Sequence, residues 1–434
     1  MSPALIGIII IGVLLIIFAT GTPIGFSMAV VGAVGFALLV SPEAALTLMA
    51  RDFWTTFSSY SITCVPMFVL MGNLAFSSGI GQRLYDAGYT MFGHMRGGLA
   101  MGTTVACAGF AAICGSTTAT AASMGRVALP EMKRYGYNDA LATGCVAAAG
   151  TLGIMIPPST IFIIYGILTE QSIGRLFIAG IFPGLLIASL FIVTISILCL
   201  INPNLAPAGR PTTWKEKLSG LTGVVEMLIL FALVIGGLFL GWFSATQAGA
   251  AGATGTLLIG LARRQLSWQG FLSAVKDTLR VTSMLMIILA GAVIFGHLIA
   301  VAKFPMALAS WIGELPFPPM VIMGFIFFMY FVGGCFMDSL ALVMLTVPIF
   351  YPIVLTLGID PIWFGVIIVL VNEVGVITPP VGVNVFVINA ITPDVPLGTI
   401  FRGIFPFLGA LVVAVALLMI FPQIATFLPG LITY

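Results

Sequence analysis

The sequence predicts an all-α polytopic membrane protein made of two inverted repeats, each with five crossings, one of them broken, plus a re-entrant helical hairpin. Three observations predict it. The first is composition: 60% of the 434 residues are hydrophobic and 7% are charged, a balance that water-soluble domains do not show. The second is internal repetition. ICGSTTATAASMG and GTLGIMIPPSTIFIIY, within residues 113–165, return altered as GGCFMDSLALVML and NEVGVITPPVGVNVF. Adding 222 to the residue number carries Ala119 to Ala341, Pro130 to Pro352, Gly136 to Gly358, Gly153 to Gly375 and Pro157–Pro158 to Pro379–Pro380. A block at Gly180–Pro183 recurs at Gly403–Pro406 with one residue of slip. The third is the distribution of positive charge, taken up once the spans are placed.

Apolar runs near 4–20 and 23–40 are long enough to span a bilayer. MSPALIGIII lacks a basic leading region and a cleavage site, so it reads as a retained span rather than a signal peptide. Residues 41–58 set Leu46, Met49, Phe53, Trp54 and Phe57 against Glu43, Arg51 and Asp52, the pattern of an amphipathic helix in the interface. A third span covers about 59–79. Residues 98–135 suffice for two passes, but Gly115-Ser116-Thr117-Thr118 interrupts them midway, which predicts a re-entrant hairpin with a polar tip. A crossing at 138–169 is broken at Gly150 to Pro158, and 174–201 closes the first copy. The first repeat is thus 1–201, and a linker at 202–221 carries Pro203, Pro207 and Pro211. The second repeat, 222–434, has spans near 222–240 and 243–262, an amphipathic segment at 263–280, and a span at 281–302. A hairpin at 316–356 with its tip at Gly333–Asp338 follows. A crossing broken at Asn372–Pro380 and a last span near 400–428 complete the copy.

Five crossings is an odd number, so the second copy is upside down relative to the first. With both termini outside, Arg83, Arg96, Lys133, Arg134, Arg210, Lys215, Lys217, Arg263, Arg264, Lys276, Arg280 and Arg402 fall on the cytoplasmic side. Only Arg51, Arg175 and Lys303 fall outside, and Arg126 lies in a hairpin arm. That bias is the one membrane insertion produces.

Inverted repeats with paired broken helices are the pattern of secondary transporters. Backbone outside a helix needs a partner in the bilayer; carbonyls and hydroxyls freed at a tip suit a hard cation, and helix amino-terminal ends suit a carboxylate. A lone hydroxyl bonds back to its own turn, but Ser116, Thr117, Thr118 and Thr120 cluster beside Gly115. Asp338 reads as a functional intramembrane acid or as the cap of the second arm. Asn372, aligned with Gly150, is a natural oxygen ligand. Its neighbour Glu373 reads either as functional or as the structural partner of a backbone group or an arginine. Glu226 reads as a snorkelling interface residue, His94 as solvated, and His297 as a packed polar residue alone in its span. The cysteines (64, 107, 114, 145, 199 and 335) lack CxxC spacing and read as packing residues. No Walker A motif, nucleophile elbow or metal-binding cluster is present, which leaves no basis for ATP-driven or enzymatic chemistry. The scattered charges give no nucleic-acid surface.

GSTTATAASMG, GTLGIMIPPS, MDSLALVMLTVPI, GIDPIWFG and NEVGVITPPVGVNVF resemble the large membrane subunit of tripartite ATP-independent periplasmic (TRAP) transporters, in order and over essentially the whole chain. The resemblance implies sodium-coupled import of a small organic carboxylate across a bacterial inner membrane by an elevator mechanism, with no cofactor beyond the coupling ion. It implies two partners, a small four-helix membrane subunit and a periplasmic substrate-binding protein. Hairpins and broken helices, about 98–169 plus 316–392, would form the transport domain. The remaining spans would form the scaffold, in contact with membrane lipid, with the amphipathic segments at 41–58 and 263–280 as joining arms. Carried over by position, one sodium site falls between Ser116, Thr117 and the stretch Gly150, Thr151, Gly153. The other falls between Gly334, Met337, Asp338 and Asn372, Gly375, Thr378. Substrate would lie near Ser116, Thr118, Ser159, Asp338 and Asn384, with no arginine placed at the site. A one-component sodium/carboxylate symporter of similar architecture and a non-transporting channel or scaffold are the competing readings.

Overall fold

The computed structural model describes residues 3–209, 212–314 and 316–431, so Arg210 and Pro211 of the expected linker lie outside the described residues. Among the described residues every regular element is a helix. Six helices are long and apolar enough to cross a membrane, or seven if Trp214–Thr222 and Val225–Phe239, bent by 53°, count as one span. Shorter apolar helices include both first arms of the hairpins, Gly98–Cys114 and Pro319–Gly334. Large apolar side chains such as Leu38, Leu200 and Ile16 are exposed on the outer faces, as a lipid solvent requires.

Helix bounds repeat with the spacing of the sequence. Thr117–Arg134 and Ser339–Thr356 differ by 222 at both ends (339 − 117 and 356 − 134). Ile24–Leu39 matches Ala245–Ala262 within one residue at each end, as Thr160–Thr169 matches Val383–Ile391. Two helices absent from the sequence expectation correspond more loosely, within two residues at each end: Ile80–Phe92 and Phe304–Gly313. In chain order these are the elements that lead from a span into a hairpin. Pro42–Ser58 instead joins two spans.

The expected division of 263–280 from 281–302 is overturned: Trp268–Val301 is one helix of 34 residues, about 51 Å long. In the first copy the chain is extended at Ser59, ψ 123°, and a 3₁₀ turn at Tyr60–Thr63 leads into Cys64–Ser77, where Pro66 has no N–H to donate to Ile62. The equivalent of Pro66 is Ile288, and the helix of the second copy runs through. The linker is also partly helical, with Thr213 and Glu216 forming a reciprocal cap at Trp214–Thr222. The last span ends at Ile420 and a short helix, Gln423–Gly430, follows.

Spans meet through small residues that let backbones approach. Gly25 faces the backbone of Ile288, where an added Cβ would lie 2.8 Å from Cα, and Gly32 faces Phe295 N at 2.9 Å. Gly144 and Gly403 bring the first broken crossing against Leu397–Ile420 with no room for a side chain. Two polar expectations change. His297 is not alone, because its Nδ1 lies 2.8 Å from Oδ2 of Asp52, which is buried rather than on a wet face. Glu226 is paired with Arg263 and Arg83 rather than snorkelling free. All six cysteines are free and buried, and His94 is exposed.

Candidate functional site

Hairpin 1 is Gly98–Cys114 and Thr117–Arg134, joined by Gly115 and Ser116. Gly115 takes φ 64°, a left-handed conformation that glycine adopts without strain. Ser116 is extended and caps the second arm by accepting from Ala119 N at 3.4 Å. Its Oγ lies 3.3 Å from Thr118 Oγ1, while Thr120 donates back to Ser116 O at 2.7 Å. The tip rests directly on the first broken crossing. Thr160 Oγ1 donates to Gly115 O at 3.0 Å, an added Cβ on Gly153 would lie 2.6 Å from Ser116 C, and one on Gly150 would lie 2.7 Å from Ala121 Cβ. Ser116, Gly150 and Gly153 are therefore brought together as expected, with the Thr117 and Thr151 side chains buried alongside.

The first crossing unwinds in two steps. At Thr151 the backbone shifts to a tighter turn, with Thr151 N donating to Ala148 O at 2.9 Å and Ile154 N to Thr151 O at 3.1 Å. The chain then leaves the helix at Ile156, ψ 124°, because a residue before proline is driven out of the α region. The second crossing differs from expectation. Pro361–Ile377 stays helical through Asn372, Glu373 and Gly375, and the break starts at Thr378, ψ 141°, again the residue before a proline pair. Both Pro-Pro bonds are cis.

Hairpin 2 is Pro319–Gly334 and Ser339–Thr356. Asp338 holds the place of Ser116: it caps the second arm, accepting from Leu340 N at 3.0 Å, and is exposed. Gly334 lies on the second crossing, where its Cβ would meet Asn372 Oδ1 and Gly375 Cα at 3.3 Å. Asn372 is fully buried, and neither its Oδ1 nor its Nδ2 has a protein partner. Buried amide atoms without partners call for a ligand or a water. Thr378 is half-buried and donates to Val374 O at 2.6 Å. Met337 is half-buried at the tip.

The expected substrate residues are not all accessible together. Ser116, Thr118 and Asp338 reach open space, but Ser159 is wholly buried and caps Thr160–Thr169 through Phe162 N at 3.4 Å. Asn384 is wholly buried too, its Nδ2 donating to Ala147 O at 3.1 Å. That bond ties the second broken crossing to the first. Glu373 does the same: fully buried, it accepts from Thr151 Oγ1 at 3.4 Å, across a sequence separation of 222. Equivalent positions of the two copies thus meet, and the partner is a hydroxyl rather than the backbone group or arginine of the structural alternative. Arg126, halfway along the second arm of hairpin 1, is exposed, and its guanidinium lies 6.0 Å from the centre of the Phe76 ring. At the base of the same arm Lys133 pairs with Asp394, whose carboxyl this hydrogen bond holds below its ordinary range. Among the described residues no group of His, Cys, Asp and Glu could hold a metal.

A family description, "Tripartite ATP-independent periplasmic transporter, DctM component", matches residues 11–424. The C4-dicarboxylate TRAP transporter large permease protein DctM of Pseudomonas aeruginosa is 36% identical, covering 91% of this chain and 91% of that protein. The sialic acid TRAP transporter large permease protein SiaM of Vibrio cholerae is 32% identical over 97% of this chain and 98% of its own length. The isethionate TRAP transporter permease protein DctMQ of Oleidesulfovibrio alaskensis is 30% identical, and the match takes in 97% of this chain but 66% of that relative. The solved YdaH transporter of Alcanivorax borkumensis shares the fold, with a TM-score of 0.64 at 16% identity over 89% of this chain and 90% of that one. The protein is a multi-pass transporter permease, not an enzyme, and belongs to the DctM-component family of TRAP transporters.

Proposed function

We propose that the chain imports a small organic carboxylate across the bacterial inner membrane together with Na⁺, by an elevator movement of its hairpins and broken crossings. The observation that carries this reading is Asn372, buried with both amide atoms unpartnered beside Gly334 at the second tip. With Gly375 and Thr378 nearby it offers neutral oxygen to a cation. Ser116, Thr117 and the turn at Gly150–Gly153 offer the same at the first tip. The second arms of both hairpins point helix amino-terminal ends at the tips, a favourable field for a carboxylate. The 36% identical relative carries a C4-dicarboxylate by name, which supports the substrate class. A small four-helix subunit and a periplasmic binding protein complete the system; the relative of which this chain matches 66% leaves length for such a subunit in one polypeptide.

Glycine packing supports a moving unit larger than 98–169 plus 316–392. Gly144 against Gly403, and Gly180 with its Cβ position 2.6 Å from Met155 O, leave Ile173–Ile201 and Leu397–Ile420 no space to slide past the broken crossings. The scaffold is then the spans up to Leu39 and from Val225 to Val301, and Cys64–Ser77 is packed on both units: an added Cβ on Gly72 would lie 2.9 Å from Cys114 O of hairpin 1, and one on Gly252 would meet Met71 Sδ.

Uptake by the reconstituted complex in liposomes tests the reading. A sodium gradient is expected to drive it, and Asn372→Ala to raise the sodium concentration for half-maximal uptake roughly tenfold, the loss of about 1.4 kcal/mol of binding. Full uptake under a proton gradient without sodium overturns it.

A further inference from the structure

Glu226 opens the helix Val225–Phe239 and is gripped by Arg263, which ends Ala245–Ala262: Arg263 Nε lies 2.6 Å and Nη2 2.5 Å from Oε1. These two helices belong together, with Gly255 packed on Leu230 at 2.5 Å from an added Cβ. The other carboxylate oxygen faces Arg83, whose Nη1 is 3.7 Å away, an ion pair too long for a hydrogen bond. Arg83 stands on Ile80–Phe92, and that helix is fastened to hairpin 1: an added Cβ on Gly102 would lie 2.7 Å from Gly88 O, and one on Gly81 2.7 Å from Met124 Cε. The acid is thus held firmly on one side and loosely on the other.

We propose that Glu226, anchored by Arg263 on the scaffold, latches the moving unit through Arg83 in the conformation seen here, and that this contact opens during transport. The inference rests on the elevator reading. The Arg83 side chain is 16% exposed and that of Glu226 28%, so the attraction is less screened than on an open surface. Without Glu226 two arginines would face each other, and repulsion would replace attraction. The device is one-sided. Subtracting or adding 222 takes Glu226 to Ala4, Arg263 to Ser41 and Arg83 to Pro305, so the other copy carries no such charges. A latch present in one copy favours one end of the stroke over the other.

Spin labels at Arg134→Cys, at the end of hairpin 1, and Leu258→Cys, on a scaffold span, in the full complex in nanodiscs report the separation of the two units. Two distance populations are expected, one matching this structure. Glu226→Gln should lower the ratio of that population to the other by about fivefold, a factor between the exposed and buried limits for ion pairs. Arg83→Gln leaves the Glu226–Arg263 pair intact, so the scaffold stays folded, and should shift the ratio the same way. Because Glu226→Gln leaves Arg83 facing Arg263, combining the two should return the ratio to that of Arg83→Gln alone, since both break one contact. Two populations unmoved by either variant, or effects that simply add, overturn the latch and leave the elevator standing. A single distance under every sodium and substrate condition overturns the elevator reading, and the latch with it.

Discussion

Ser116 and Asp338 perform the same local task, each accepting from backbone N–H groups at the start of a second hairpin arm, yet one is neutral and the other an acid. The cap alone does not require the charge, because asparagine caps as well as aspartate. A carboxylate beside a bound anionic substrate is repulsive unless a cation stands between them, and low dielectric near the tip enlarges that repulsion. Sodium at the second tip would neutralise Asp338, so that substrate binds well only after the ion, and substrate would tighten sodium by the same factor. Asp338→Asn keeps shape and cap. It should cut the sodium-induced gain in substrate affinity about fivefold or more, measured as equilibrium binding across a sodium series. An unchanged gain would mean the acid only caps its helix.

At the scale of elements, much was legible because proline and glycine act locally. The prolines Pro157–Pro158 and Pro379–Pro380 locate both breaks, and Gly115 locates the first tip. The polar Asn372 and Glu373 suggest an earlier second break than the structure shows, because polarity alone does not unwind a helix; the residue before a proline, Thr378, is the one sterically driven from it. Ile80–Phe92 went unread, although Ile80, Leu84, Ala87 and Gly88 line its buried face, because its polar residues look like a loop beside long apolar runs. What no single stretch reveals is which helices touch. Asp52 meets His297 and Thr151 meets Glu373 only after folding. The contact between Gly144 and Gly403 is of that kind and carries a prediction. Gly403→Leu forces a side chain into backbone and should cost about 3 kcal/mol, seen as a lower unfolding temperature of the purified permease. Gly409→Ala on the same helix, with nothing within 4 Å, is the control and should leave it unchanged.

For the molecule as a whole, the question is whether two copies of one helix order lie head to tail. Matching bounds, as in Thr117–Arg134 and Ser339–Thr356, establish the same order but not the orientation. Parity and charge supply it. With the five crossings per copy expected from the sequence, the linker would lie opposite both chain ends, and the positive residues expected on the cytoplasmic side include Lys215 and Lys217 of the linker and Arg83 and Arg263 of the charged contact. Lys215 and Gly430 are both exposed, and the native cysteines are buried, so single introduced thiols at those two sites report without interference. In intact cells and inverted vesicles, Lys215→Cys should react with a membrane-impermeant reagent only from the cytoplasm and Gly430→Cys only from the periplasm. Labelling of both from one face would make the crossings per copy even. The copies would then be parallel, hairpin tips would enter from the same side, and two gates on opposite faces would no longer follow from this fold.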